Sequence, residues 1–255
     1  MQPAPRALIA GLGLIGGSIG MALRARGWRI AYLDPNVELS QAQRAGAADE
    51  KVDAFAEADI VILATPVDVA VSILRTQDSA LRTTSVCSVM QPLREAADSR
   101  KLNFVAGHPL AGSDESGLAA ARADLLRDRS WFVDRRDPVV DRMVNDCGAH
   151  LELVDPKQHD AAVALTSHLP QVLSTALAAY LDEHGIEERF AGSGLRTFLR
   201  LAASDAGVWQ PVLQANRENI TPHVEGVTRL VREILNGDAT AFDRAQAFMR
   251  ELKKQ

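Results

Sequence analysis

The chain has 255 residues, 47% of them apolar and 24% charged, with a formal net charge of -5. This composition excludes a disordered or fibrous protein and leaves room for one large or two modest domains, each with a core of its own. An acidic balance does not neutralise phosphates, so no nucleic-acid partner is expected.

Only Cys87 and Cys147 are present, far apart and without the spacing of a metal site or a disulfide framework. The expectation is two buried thiols, no metal, and a reducing, cytoplasmic setting. The first six residues run straight into an apolar strand pattern with no basic region and cleavable apolar segment, so no export signal is expected. The longest apolar stretch, 161–181, is interrupted by Ser167, His168, Pro170, Gln171 and Ser174. A buried helix tolerates those residues and a membrane span of about 20 apolar residues does not, so no membrane association is expected.

Between residues 6 and 154, short β-branched or apolar runs at 7–10, 29–33, 59–64, 84–89, 103–106, 131–133 and 151–154 alternate with amphipathic stretches. That rhythm predicts βαβ units. Ile60-Val61-Ile62-Leu63 has no polar alternation, as in a parallel strand covered by helices on both faces, so the expected architecture is a doubly wound sheet. After Asp155-Pro156 the period becomes 3.6, over 157–183, 187–203, 208–235 and 239–253. Pro222 should kink or divide the third of these segments, and Gly237-Asp238 separates it from the last. The predicted division is therefore 1–155, α/β, followed by 156–255, all helical.

Gly11-Leu12-Gly13-Leu14-Ile15-Gly16 follows the first strand and opens a helix, the context that a dinucleotide-binding GxGxxG requires. The first glycine permits the turn, the second lets backbone approach a pyrophosphate, and the third lets helix and strand pack closely. The helix N-terminus supplies free N–H groups. The second strand ends in Asp34, about 20 positions on, where a carboxylate accepts from both ribose hydroxyls and repels a 2′-phosphate; this favours NAD over NADP and makes the first half a Rossmann domain. Thr65-Pro66 ends the strand at 59–64 and reads equally as a cofactor contact or a helix start.

His108 follows an apolar strand and should stand at the sheet's carboxyl edge near the nicotinamide. A histidine there suits the proton released when an alcohol is oxidised, although position alone also fits a loop histidine bonded for structural reasons.

GLGLIGGS at 11–18, GHPLAGSDESG at 107–117, SHLP at 167–170 and LRTFLRLAASDAGVW at 195–209 together resemble the prephenate/arogenate dehydrogenase family, in order and spacing across nearly the whole chain. The resemblance implies NAD-dependent oxidative decarboxylation of prephenate to 4-hydroxyphenylpyruvate, in tyrosine biosynthesis, with the all-α second half serving substrate binding and dimerisation. It implies that His108 takes the hydroxyl proton, that Ser88 bonds the reacting hydroxyl, and that Arg200 grips a carboxylate through its planar fork. Arg196, four residues earlier, adds positive potential. His168 contacts substrate or is a satisfied core histidine; Trp209 walls the pocket or is core; Ser88 has the alternative of a turn cap, and Arg200 that of a salt bridge. His159 is assigned to packing and dimer contacts.

The chain departs from the family where Ser85 and Met90 replace an Asp and a Lys, Thr197 an Asp, and Gln171 a second histidine. Arogenate or 4-amino-4-deoxyprephenate is therefore an alternative substrate. A 3-hydroxyacid dehydrogenase would need Lys157 in a pattern that its surroundings lack. The non-enzymatic alternative is an NAD-binding sensor. Apolar stripes on the helical half predict a homodimer.

Overall fold

The computed structural model describes residues 4–77, 80–113 and 115–253, so Asp114 of the second motif lies outside the described residues. The first half contains β1 (Arg6–Ala10), α1 (Leu14–Arg24), β2 (Arg29–Leu33), α2 (Leu39–Arg44), β3 (Glu50–Lys51), β4 (Ile60–Leu63), α3 (Val67–Thr76), β5 (Thr83–Ser85), α4 (Gln91–Ser99) and β6 (Phe104–Val105). These six strands form one parallel sheet in the order β3-β2-β1-β4-β5-β6. The order reverses between β1 and β4, and the crevice at such a switch point is where open sheets of this kind hold ligands.

Alternate residues of β1 feed opposite faces, as the pleat demands. Ile9 joins Ile30, Ile62, Ile19 and Leu23 on one side, and Leu8 joins Val61, Leu63, Ala70 and Leu93 on the other. The doubly wound expectation is met, including the fully apolar central strands.

The runs at 131–133 and 151–154 were expected in the same sheet and are not. β8 (Ser130–Val133) and β9 (His150–Leu153), with α5 (Pro138–Asp146) before β9, join β7 (Gly107–Pro109), which was not among the expected strands, in a separate sheet in which β7 and β8 are antiparallel. The ladder ends because its backbone groups find other partners. The Gly107 N–H donates to Ser85 Oγ at 3.3 Å, and the Ala106 N–H to Asp134 Oδ1 at 2.9 Å. The expected strand at 84–89 likewise stops at Ser85, leaving 86–90 as a connecting loop.

The second half begins at α6 (Pro156–Val163), whose N-terminus is capped by the Asp155 carboxylate. One turn of π-helix, Ala164–His168, joins it to α7 (Leu169–Glu183). There follow α8 (Ser193–Leu199), a 3₁₀ turn at Arg200–Ala203, α9 (Ala206–Ala215), α10 (Arg217–Leu235) and α11 (Thr240–Leu252). The expectation for Pro222 is corrected: α10 runs through it, and the division falls at Asn216. There the backbone leaves helical values at φ -110° and ψ 16°, and the side chain is committed to the carbonyl of Asp160. The two halves share a core, since Val212 of α9 is buried with Val67, Ala70 and Met90.

Close packing of α1 on the neighbouring backbone gives a test. A Cβ at Gly20 would stand 2.1 Å from the carbonyl oxygen of Ala47, whereas one at Gly13 would meet nothing within 4 Å. Gly20→Ala is expected to lose ~1–3 kcal/mol in urea unfolding, the usual cost of overpacking. Gly13→Ala should unfold like the parent and fail instead in cofactor binding.

Candidate active site

The glycine turn is built as a phosphate cradle. Gly11 has φ +89°, and a Cβ there would lie 2.6 Å from the Ala64 carbonyl oxygen; one at Gly16 would lie 2.0 Å from that of Gly11. Only glycine fits either position, and the open space above Gly13 leaves backbone accessible. No side chain caps α1 and its first turn holds no acidic residue, so the amides after Gly13 face an anion site with the positive end of the helix dipole. Asp34 Oδ2 accepts the Leu12 N–H at 2.8 Å, fixing the carboxylate beside the turn. A cleft of about 530 Å³ opens there, lined by Leu12, Gly13, Asp34, Asn36, Arg44 and Leu118 among others. These residues fit a dinucleotide: a glycine cradle for the pyrophosphate and a carboxylate for the ribose.

A series of short contacts leads from that cradle to His108. Gly11 abuts Thr65 at the end of β4. The Cys87 thiol lies 3.6 Å from the Thr65 carbonyl oxygen, and its own pKa is pushed up to about 12 by burial. Ser88 is next in chain, half-buried in the loop before α4 rather than on the expected strand. The amides of Met90 and Gln91 then donate to Asp160 Oδ1 and Oδ2 at 2.8 and 2.9 Å. The neighbouring His159 places Nδ1 2.8 Å from Asp160 Oδ1, and its Nε2 lies 2.9 Å from His108 Nδ1.

This network decides where the protons are. A carboxylate can only accept, so His159 carries its proton on Nδ1 and presents a lone pair at Nε2. His108 must therefore donate Nδ1–H to it, and His108 Nε2 is left with the lone pair of a base. Burial first, then the proximity of His159 and His168, lowers the His108 pKa from 6.5 to about 3.

His159 was expected to serve packing, and that reading is overturned: it is 2% exposed and bonded to the catalytic candidate. A histidine followed by an aspartate one turn into a capped helix was the signal available in the sequence. Asp160, 2% exposed, was missed altogether.

His168 ends the π turn and is fully buried. Asn216 Nδ2 donates to the Asp160 carbonyl at 2.8 Å and to His168 Nδ1 at 3.0 Å, while Asn219 Nδ2 donates to Asn216 Oδ1. The His168 proton is thus on Nε2, and that atom is buried without a hydrogen-bond partner among the described residues. Desolvation, in part offset by Asp160, lowers the His168 pKa to about 4. The ring stands edge-on to Trp209, 6.0 Å between centroids, and Trp209 packs on the shared core with Val212.

Arg200 and Arg196 are exposed on α8 and its extension. The apolar stretch around Arg200 is surface, with Phe198 52% exposed, so its guanidinium carries no cost of burial. Arg196 donates to the Ala191 carbonyl at 3.1 Å and to Glu188 at 3.2 Å. The segment bearing both is tied to α7 by Gln171 Nε2 on the Leu201 carbonyl and Ser174 Oγ on that of Phe198. The side chains of the family departures Ser85 and Met90 are both buried, Met90 within the core.

A family model for the nucleotide-binding domain of prephenate dehydrogenase matches residues 19–153, and one for its dimerization domain matches residues 155–253. A prephenate dehydrogenase from Bacillus subtilis (strain 168) is 30% identical over 254 residues, covering 89% of this chain and 68% of that protein. The crystal structure of prephenate dehydrogenase from A. aeolicus in complex with hydroxyphenyl propionate and NAD+ superposes with a TM-score of 0.81 at 26% identity, over 99% of this chain and 97% of that one. A Synechocystis arogenate dehydrogenase, 23% identical with a TM-score of 0.74 over 98% and 99% of the two chains, is similar in fold.

The depressed histidine pKa values have a consequence for stability. Between pH 6.5 and about 4 the unfolded chain protonates His108 and His168 while the folded protein keeps both neutral. Their contribution is complete above 6.5 and is lost as pH falls. The groups facing His108 are His159, Asp160 and His168. Urea unfolding from pH 7 to 4.5 should show stability falling less steeply in His108→Asn than in the parent, by up to about 1.4 kcal/mol per pH unit. Parallel slopes would contradict the burial of a neutral His108.

Proposed function

The chain belongs to the prephenate dehydrogenase family, and from that premise we propose that it carries out the oxidative decarboxylation of prephenate to 4-hydroxyphenylpyruvate, the step toward tyrosine. The observation that carries this reading is the 2.9 Å contact of His108 Nδ1 with His159 Nε2, which, with His159 Nδ1 on Asp160, leaves the lone pair of His108 on Nε2.

The enzyme is an NAD-dependent oxidoreductase, and NAD when bound supplies the acceptor for the hydride leaving the ring carbon that bears the hydroxyl. Gly11, Gly13, Leu14, Ile15 and Gly16 hold its pyrophosphate through backbone N–H groups, and Asp34 its ribose; Thr65 and Pro66 flank the same turn. His108 Nε2 takes the hydroxyl proton. Departure of the ring carboxylate as carbon dioxide leaves an aromatic ring, whose phenol oxygen needs one proton back, and the charged His108 is positioned to return it. Ser88 bonds the reacting hydroxyl, supported by its place two residues before the amide that fixes Asp160.

His168 donates Nε2–H to substrate. The support is its lack of a protein partner, since a buried unsatisfied donor costs ~1–3 kcal/mol. Trp209, edge-on to His168, walls the pocket. Arg200 binds a substrate carboxylate with its fork, and Arg196 adds positive potential. The sensor alternative has no support in the relatives, whose names are those of enzymes.

We place the division of the chain at Asp155–Pro156, giving 1–155 and 156–255, supported by the helix cap there. The working unit is a homodimer, supported by Phe190, Phe242, Phe248 and Leu235, which are 58–80% exposed on the helical half. No described helix is long and apolar enough to cross a membrane. Cys87 and Cys147 are free and buried, which suits a reducing cytoplasm.

NADH formation by purified protein with NAD and prephenate, and separately with arogenate, tests the reading. Prephenate should turn over, and His108→Asn should lose two or more orders of magnitude in kcat. Arg200→Gln should raise KM for prephenate about tenfold or more with a smaller change in kcat, as loss of a charge-assisted bond of ~1.5–3 kcal/mol requires. A faster rate with arogenate would reassign the substrate; absence of turnover with either would remove the proposed activity.

A further inference from the structure

The pair behind His108 does more than join α6 to α4. His159 and Asp160 are each 2% exposed, and an ionisable pair sunk this deep is costly compared with apolar side chains of the same size. Yet every polar atom of the pair is directed: Asp160 Oδ1 and Oδ2 receive the Met90 and Gln91 amides, His159 Nδ1 faces Oδ1, and His159 Nε2 faces His108. The line runs from the N-terminus of α4 in the first half, through α6 of the second, and back to β7 of the first.

We propose that Asp160 and His159 are positioning residues for the oxidation: Asp160, acting through His159, fixes His108 as the Nδ1–H tautomer and supplies the countercharge when Nε2 takes the substrate proton. This rests on the function proposed above. The proton accounting is closed. The substrate O–H bond breaks and the His108 Nε2–H bond forms; His108 Nδ1–H stays shared with His159, and His159 Nδ1–H with Asp160. The new positive charge is therefore faced by a carboxylate two rings away, and that carboxylate and the ring between are each 2% exposed. Without Asp160, His159 has no reason to keep its proton on Nδ1. With the opposite tautomer it would present Nε2–H to His108, driving the His108 proton onto Nε2 and removing the base.

The experiment uses the full-length protein and two readouts. In kinetics with NAD and prephenate, Asp160→Asn and His159→Leu are each expected to lower kcat 10- to 100-fold, with KM for prephenate and Kd for NAD within about threefold of the parent. His159→Gln, whose Oε1 can still accept Nδ1–H, should recover part of the loss. In the His108→Asn background the same substitutions should cost less than about twofold, because a positioning group has nothing left to position. The second readout is independent of turnover: nitrogen chemical shifts of ¹⁵N-histidine-labelled protein at neutral pH, without cofactor or substrate. His108 should report Nδ1–H in the parent and in His159→Gln, and should move toward Nε2–H in Asp160→Asn.

A kcat for His159→Leu within threefold of the parent, or an undiminished loss in the His108→Asn background, overturns the proposal. So does a parent His108 protonated at Nε2. Should prephenate fail as a substrate while the tautomer responds as described, the catalytic reading falls and the assignment of the hydrogen-bonded line stands.

Discussion

The carboxylate of Asp160 joins the two halves of the molecule beside His159 and His108. Two amides at the start of α4 have no intrahelical acceptor, and a side chain from another helix satisfies both. That bond fixes the approach of α6 to the nucleotide-binding sheet, and with it the position of His159 against His108. Asn216 uses the carbonyl of the same residue to hold His168 in the opposite tautomer. One aspartate therefore settles, through its side chain and its backbone, that one histidine carries its lone pair on Nε2 and the other its proton there.

Much of the first half was legible because its determinants are local. Central strands such as Ile60–Leu63 are apolar on both faces, and Gly11 and Gly16 stand where any side chain would strike backbone. The exit of β7 into a second sheet was not legible, because it turns on a single pairing between Ala106 and Asp134, 28 residues apart. The break in the helical half was misplaced for a similar reason. Pro222 carries a visible signal, whereas Asn216 breaks its helix through partners 48 and 56 residues away. His108 and the glycine motif were found by their context at strand ends, while His159 and Asp160 acquire meaning only when α6 docks against α4.

The departures from the family motif become intelligible in the same terms. Met90 replaces a charged residue, but what the site takes from position 90 is its backbone N–H, which any residue except proline provides. Its side chain fills the core beside Val67 and Leu93. Ser85 contributes its hydroxyl to the Gly107 backbone, so the buried position keeps a satisfied polar group without a charge. Neither change reaches the atoms of the hydrogen-bonded line, which is why the constellation survives their joint loss.

The π turn between α6 and α7 has a geometric consequence. His159 and His168 are nine residues apart, and in an unbroken α-helix, at about 100° per residue, they would project from opposite sides. A π turn accommodates one additional residue without advancing the helix by a full step, so the phase between them falls to roughly 80°. The inserted residue thus acts as an angular gear, turning a histidine that would otherwise face away toward the same side of the helix as its neighbour. An unbroken α-helix with the same nine-residue spacing would have been better bonded and would have set the two rings on opposite sides.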